Sequence, residues 1–377
     1  MQSFGSVADD DGLAAGRHDF LPTRSVVWGE GSAGRIGEEL DRLDCGSAVL
    51  ITTRSLTGGP SLARLRERLG SRLLSVLDNF PAHVPAQALE QAQFAIEAHS
   101  PDAFVAFGGG SVIDATKALA ARIGRAEGKV PPILALPTTL SGAEFAHVYG
   151  VLEDGPQGSY KHSYFDAAVT PAVVLLDPHL TLETPRQLWL SSGIKAIDHA
   201  VEGFLGPGRR LINDPIALSG LRRMAEALVR DDWETPKARL AAQIAAWLCY
   251  FSPASARTGL SHRIGYVLGG YFQLPHSITS CITLAPVMRR FAALEHSKTE
   301  ELAKALLPAG SVAPNVATFI ADLVVGLELP HRLRETGLGQ NAVPRIGELV
   351  RRHFPEDSAR IDGLGPDAFD VLIEELW

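Results

Sequence analysis

The segment Ser192-Gly-Ile-Lys-Ala-Ile-Asp-His-Ala-Val-Glu-Gly-Phe204 carries the residues best suited to chemistry. Lys195 and His199 stand four apart, so on a helix they share one face. Two further histidines, His262 and His276, lie fourteen residues apart downstream. An acidic residue at position 195 would complete a set of one carboxylate and three imidazoles, a good cage for iron or zinc. Lysine is cationic at neutral pH and cannot be that ligand. A fixed positive charge therefore stands where the fourth ligand would be.

A second constellation precedes it. Gly108-Gly-Gly-Ser111-Val-Ile-Asp114 follows the apolar run Phe104–Phe107 and opens a helical pattern. Glycines let backbone approach a ligand closely, and free N–H groups at a helix start favour an anion. Ser111 can cap the helix or bind a phosphate oxygen. A tight strand-to-helix turn also requires glycine, and the pattern is neither Gly-x-Gly-x-x-Gly nor a P-loop. Thr138, Thr139 and Ser141, in the loop after the run Ile133–Leu136, supply hydroxyls at the same rim, where open α/β sheets bind ligands.

The elements that position these groups fall into two halves. Between about Thr23 and Pro178, short apolar runs at 48–53, 104–107, 133–136 and 172–177 alternate with helical patterns, the mark of a parallel α/β sheet. Beyond Pro185 the segments 214–230, 237–250, 281–307 and 313–328 carry helical periodicity. The expected organisation is a frayed tail over residues 1–21, an α/β domain over 22–185 and an all-α domain over 186–377. A cleft between two such domains is a natural ligand site. With 377 residues, 46% hydrophobic and 21% charged, the composition is that of an ordinary globular protein. A net charge of -8 argues against nucleic acid or an anionic membrane as partner, and no apolar run reaches spanning length. Cys45, Cys249 and Cys281 are odd in number and scattered, which fits a reducing cytoplasm.

Five pieces together resemble the iron-containing alcohol dehydrogenase superfamily. They are Gly29-x-Gly31, GGGSVIDATKA at 108–118, LPTTLSGAEF at 136–145, IKAIDHAVEGF at 194–204 and GLSHRIGYVLGGYFQLPHSIT at 259–279. His83-Val84-Pro85 and the form of the 259–276 segment are most similar to the maleylacetate reductase branch. The resemblance implies a dehydroquinate synthase-like fold, a homodimer, and hydride transfer from NADPH or NADH to a small substrate. It implies that Gly109, Gly110 and Ser111 hold the pyrophosphate, with Asp114 just inside that helix. Thr138, Thr139 and Ser141 would line the nucleotide pocket, and Lys161 would contact cofactor or substrate. NAD-dependent members place an aspartate after the strand at 48–53; this chain has Thr53-Arg54, which removes repulsion against a 2′-phosphate and leans towards NADPH.

By the same resemblance, Lys195 replaces the metal-ligand aspartate and Tyr266 replaces a histidine near the nicotinamide, while His199, His262 and His276 keep the other ligand positions. No bound metal is expected, because an ammonium beside the imidazoles repels a divalent ion. Lys195 then has several uses: stabilising an oxyanion or enolate, donating a proton, forming a Schiff base, or merely pairing with Asp198 or Glu202. The three histidines suit substrate carboxylates or a proton relay, and His147 and Tyr149 are candidate substrate contacts. The leading expectation is a metal-independent reductase of a small carboxylated keto or unsaturated compound. A non-redox lyase, dehydratase or cyclase using Lys195, a metal-dependent alcohol dehydrogenase and an inactive binding subunit are the alternatives.

Overall fold

The computed structural model describes residues 21–80, 84–96, 100–155, 158–206, 211–251, 259–307 and 315–377. The expected tail, apart from Leu21, and His83 lie outside them.

Six parallel strands form the main sheet: β1 (Ser25–Trp28), β2 (Ala48–Ile51), β3 (Leu73–Leu77), β4 (Ala103–Gly108), β5 (Ile133–Pro137) and β8 (Val173–Leu176). Their spatial order is β1-β8-β5-β4-β2-β3. β2, β4, β5 and β8 are short, apolar and buried along their length, as strands covered on both faces must be. Along β2 and β4, Val49, Ile51, Phe104 and Ala106 pack towards helices α3 (Ala86–Ile96) and α4 (Gly110–Glu127). Ala48, Leu50, Val105 and Phe107 pack the opposite way, towards α1 (Ile36–Arg42) and α2 (Pro60–Leu69). Full burial of each such side chain stabilises the fold by about 1.5–3 kcal/mol.

β2 leads outward to β3, whereas β4 lies on the other side of β2. The order of the sheet therefore reverses between β2 and β4. The crevice beyond the carboxyl ends of those two strands, at Thr53-Arg54 and Gly108–Gly110, is where such sheets take ligands.

An antiparallel hairpin, β6 (Val148–Gly155) and β7 (Gly158–Phe165), lies outside the sheet. It was not expected from sequence. Its segments mix glycine and charge with aromatics, so no apolar alternation marks them.

The remaining helices are α5 (Arg186–Leu205), α6 (Asn213–Leu228), α7 (Pro236–Tyr250), α8 (Leu260–Phe272), α9 (His276–Leu294), α10 (His296–Leu306), α11 (Val316–Gly326), α12 (Val343–His353), α13 (Pro355–Asp362) and α14 (Ala368–Glu375). They share one continuous core. The helix expected over 281–307 is two helices, starting at His276 and broken at Glu295, whose φ of -132° and ψ of 54° leave the helical region. No described helix is long and apolar enough to cross a membrane.

α5 is central. Every residue from Trp189 to Leu205 is buried, so its polar side chains cannot turn to water. Lys195, Asp198, His199 and Glu202 must find partners inside the protein or face a ligand.

Candidate active site

The charges of α5 are met by the first turn of α8 and by α9. Lys195 is 2% exposed, and its Nζ lies 3.6 Å from Asp198 Oδ2 with no hydrogen-bond partner among the described residues. Asp198 also accepts a short hydrogen bond from Ser280 Oγ. His262 Nδ1 donates to Glu202 Oε2 at 2.6 Å and lies 3.2 Å from Asp198 Oδ2. Glu202 does not pair with Lys195. It accepts backbone N–H groups of Gly259 (3.0 Å), Ser261 (2.6 Å) and His262 (3.3 Å), capping the start of α8.

The imidazoles gather around this network. His199 stacks on His262 with ring centroids 4.5 Å apart and meets Tyr250 edge-on at 4.8 Å. His276 stands 6.3 Å from the ring of His262 and 5.5 Å from that of Tyr266. Four buried atoms here have no hydrogen-bond partner among the described residues: Lys195 Nζ, Asp198 Oδ1, His199 Nδ1 and His262 Nε2. Buried polar atoms are rarely left so, and a cluster of them marks a place shaped for a ligand.

Burial pulls the Lys195 ammonium below its ordinary pKa, against the opposing pull of Asp198 and Glu202. Burial also holds His199 and His276 well below the usual imidazole range, helped by the nearby cations. His262 behaves oppositely: burial works against its charge, but Asp198 and Glu202 outweigh it and raise its pKa. Burial likewise works against the Asp198 carboxylate, and His262 with Lys195 overcomes it and lowers its pKa. Lys195 and His262 thus face Asp198 and Glu202, with the imidazoles of His199 and His276 beside them.

The hairpin and α4 bring further residues. Lys161 Nζ lies 3.4 Å from Asp114 Oδ2, which also accepts the Gly150 N–H at 3.3 Å. Asp114 is therefore held by the hairpin. β7 rests on α8 so closely that a Cβ on Gly270 would stand 2.9 Å from Lys161 N. The Lys161 charge reaches Lys195 and His276, lowering the pKa of both. Tyr266 is half-buried beside Ser163 of β7, and desolvation raises its phenol pKa.

At the carboxyl end of β4, α4 starts without a side-chain cap, the N–H groups of Val112 and Ile113 turn back to Gly109 O, and Ser111 is exposed in the first turn. A Cβ on Gly109 would stand 2.9 Å from Thr139 Cγ2, and one on Gly110 3.0 Å from Ser141 Oγ. The 138–141 loop thus lies against the glycine turn, and only glycine lets it do so. Thr138 O accepts from Thr184 Oγ1 at 2.8 Å, and Leu140 N donates to Ser192 Oγ at 3.0 Å, tying the loop to α5. Thr53 and the exposed Arg54 follow β2, where Arg54 Nη2 donates to Asn79 Oδ1 at 2.6 Å.

Two expected substrate contacts are placed elsewhere. Tyr149 stacks on Tyr164 at 5.4 Å within the core beside α4. Tyr149 and Tyr164 pair across the hairpin, whereas Lys161 pairs with Leu152, so strand alternation puts Tyr149 on the face opposite Lys161. Its hydroxyl meets Arg125, eleven residues and roughly 16 Å along α4 from Asp114. His147 stacks near Phe165 at 5.9 Å, and burial and the Lys117 charge lower its pKa; it makes no described contact with the histidine cluster.

Sequence reasoning overlooked three residues. Tyr250 reads as a core aromatic at the end of an apolar helix. Lys117, fully buried, donates to Ala143 O at 2.6 Å and Val148 O at 3.1 Å, fastening the loop to α4. Beside it, Glu144 is 2% exposed. A lysine one face of α4 away from solvent was the available signal.

Comparison with known proteins fits this geometry. The family described as "Iron-containing alcohol dehydrogenase" matches residues 22–178, and "Fe-containing alcohol dehydrogenase family, C-terminal" matches 189–355. A maleylacetate reductase of Pseudomonas aeruginosa is 30% identical over 363 residues, covering 96% of this chain and 97% of the relative. The solved maleylacetate reductase of a Rhizobium species superposes with a TM-score of 0.79 at 27% identity, covering 97% of this chain and 99% of that one. A putative alcohol dehydrogenase of Ralstonia eutropha gives 0.82 at 26% identity, covering 96% and 97%. These relatives are oxidoreductases, and they give no support to a lyase, a cyclase or an inactive subunit. The chain belongs to the iron-containing alcohol dehydrogenase family and is an oxidoreductase similar over most of its length to maleylacetate reductases.

Proposed function

We propose that this chain is a metal-independent reductase that uses NADPH or NADH to reduce a small carboxylated keto or unsaturated compound, with Lys195 as the cation facing the substrate oxygen. The buried Lys195 amine, close to one carboxylate yet without a hydrogen bond among the described residues, carries this reading.

A divalent metal does not fit the residues present. Ligand atoms of Asp198, Glu202 and His262 do lie within 4.8 Å of one another. Glu202, however, is occupied by three backbone N–H groups and His262, and Asp198 by Ser280, His262 and Lys195. An ion there would displace the His262 proton and meet the Lys195 charge at short range.

A nicotinamide dinucleotide does fit: the glycines at 109 and 110 let the hydroxyl-bearing 138–141 loop lie against the turn, and the uncapped start of α4 offers N–H groups to a pyrophosphate. When bound, it would supply the hydride. Lys195 then stabilises negative charge growing on the substrate oxygen, and its depressed pKa eases transfer of a proton to that oxygen. Lys161 and Lys195 together favour a carboxylate-bearing substrate, in line with the relatives named for maleylacetate. Arg54, at the crevice with no carboxylate beside it in sequence, favours acceptance of a 2′-phosphate.

Metal analysis of protein purified without chelator, alongside NADH and NADPH titrations followed by fluorescence, tests the proposal. Nucleotide binding with well under one equivalent of iron or zinc is expected. One tightly bound equivalent of either metal would overturn the role given to Lys195.

A further inference from the structure

Tyr250 stands inside this site, and nothing in the chemistry above uses it. It closes α7 with its side chain buried, its ring at 90° to that of His199. On its other side lies Gly142, in left-handed backbone at φ +73°. A Cβ on Gly142 would stand 2.5 Å from Tyr250 Cδ2 and 2.9 Å from Cγ. The ring is therefore wedged between the histidine cluster and the loop that rests on the glycine turn.

The ring is also fixed from behind. A Cβ on Gly220 would come within 2.6 Å of Cys249 N, so α6 and α7 touch backbone to backbone just before Tyr250. Just after it, Asn213 Nδ2 donates to Phe251 O at 2.7 Å. Burial raises the phenol pKa far above its usual value, and Tyr266, Asp114 and Glu144 add to the effect, so the ring is neutral. The ring so held lies against both His199 and the loop at Gly142. No described residue hydrogen-bonds it. A rigid, uncharged ring in that position takes space from any substrate lying between nucleotide loop and Lys195.

We infer that Tyr250 is the wall that sets the chain length of the substrate, limiting the cleft to short carboxylated compounds. This rests on the proposed carboxylate-binding reading of the cleft. One methylene in such a pocket is worth about tenfold or more in discrimination.

The test is calorimetric titration of linear saturated dicarboxylates (succinate, glutarate, adipate and pimelate) into the full chain, with and without NADH. Wild type is expected to lose about tenfold in affinity or more at one chain length. Tyr250→Ala moves that break to a longer acid, Tyr250→Trp moves it to a shorter one, and Tyr250→Phe leaves it in place. Circular dichroism checks folding, and the Trp variant stands if the Ala variant does not fold. A break at the same length in both the Ala and Trp variants overturns the wall while leaving the reductase reading intact. Failure of wild type to bind either NADH or NADPH overturns the reductase reading, and the acid series still reads the wall. Wild type that binds no dicarboxylate overturns both.

Discussion

Lys195 Nζ lies 3.6 Å from Asp198 Oδ2, three residues further along the same buried helix. The contact opposes the lowering of the lysine pKa by burial, and among the described residues its N–H groups make no hydrogen bond. An ammonium held this way has its donors free for a ligand atom. Its partner is held in turn by Ser280 and His262, so the cation is preorganised by groups from three helices.

Replacing that cation should separate chemistry from binding. Lys195→Met is expected to lower kcat by about 10²–10³-fold, the cost of losing one oxyanion donor. Nucleotide affinity, which the proposal assigns to the α4 turn, should be little changed. Lys195→Asp should behave differently, since it sets a second carboxylate one turn from Asp198 beside unpartnered imidazoles. We expect that variant to recruit a divalent ion, read as a melting temperature that rises with added zinc and falls with chelator. A Lys195→Met enzyme with unimpaired kcat would return the lysine to a purely structural ion pair.

The strand, glycine turn and helix at 103–127 were legible because each signal is local: an apolar run, then glycines, then helical spacing. Lys195 and His199 were legible for the same reason. The partners that give them meaning were not. His262 reaches Glu202 across 60 residues and Ser280 reaches Asp198 across 82, distances at which spacing carries no information. Asp198, expected at most as a pairing partner of Lys195, lies beside it and also meets His262. Tyr149 was misplaced through parity. In a hairpin one residue's offset selects the face, and the hairpin itself left no clear pattern from which to count.

Arg54 should decide between the two nucleotides. It is exposed at the reversal point of the sheet, and Asn79 steadies its guanidinium through a 2.6 Å hydrogen bond. A charge-assisted hydrogen bond to a 2′-phosphate is worth about 1.5–3 kcal/mol. Arg54→Ala should therefore weaken NADPH by roughly tenfold or more while leaving NADH nearly unchanged. Asn79→Ala should shift the ratio the same way by less. Parallel titrations of both nucleotides decide it, and equal losses for the two would remove Arg54 from 2′-phosphate recognition.

Glu144 gives the protein a pH signature. Burial raises its carboxyl pKa from 4.5 to about 7. Between those values the folded state holds a proton that the unfolded state has lost, so stability falls as pH rises through that window. Below pH 4.5 both states are protonated and the contribution is fully present. Glu144→Gln, neutral throughout, should gain on wild type by an amount on the order of 3 kcal/mol as pH rises from 4.5 to 7. Urea denaturation at both ends of the window reads the difference. A constant gap would mean that Glu144 is ionised in the fold at both ends.

The glycine turn offers the most direct check of the nucleotide site, because its crowding has one identified source. Gly109 has φ -81° and ψ -172°, a conformation open to alanine, so backbone strain does not enter. What an added methyl meets is Thr139, whose Cγ2 would be 2.9 Å away and whose Oγ1 would be 3.4 Å away. Gly109→Ala should push the 138–141 loop off the turn and weaken NADH binding by about tenfold or more, a loss comparable to one misplaced contact group. Thr139→Ser removes Cγ2 and keeps the hydroxyl, so alone it should be mild. Combined with Gly109→Ala it should recover much of the lost affinity, a coupling that a double-mutant cycle isolates. Additive losses in the double variant would place the nucleotide's contacts elsewhere than between this loop and this turn.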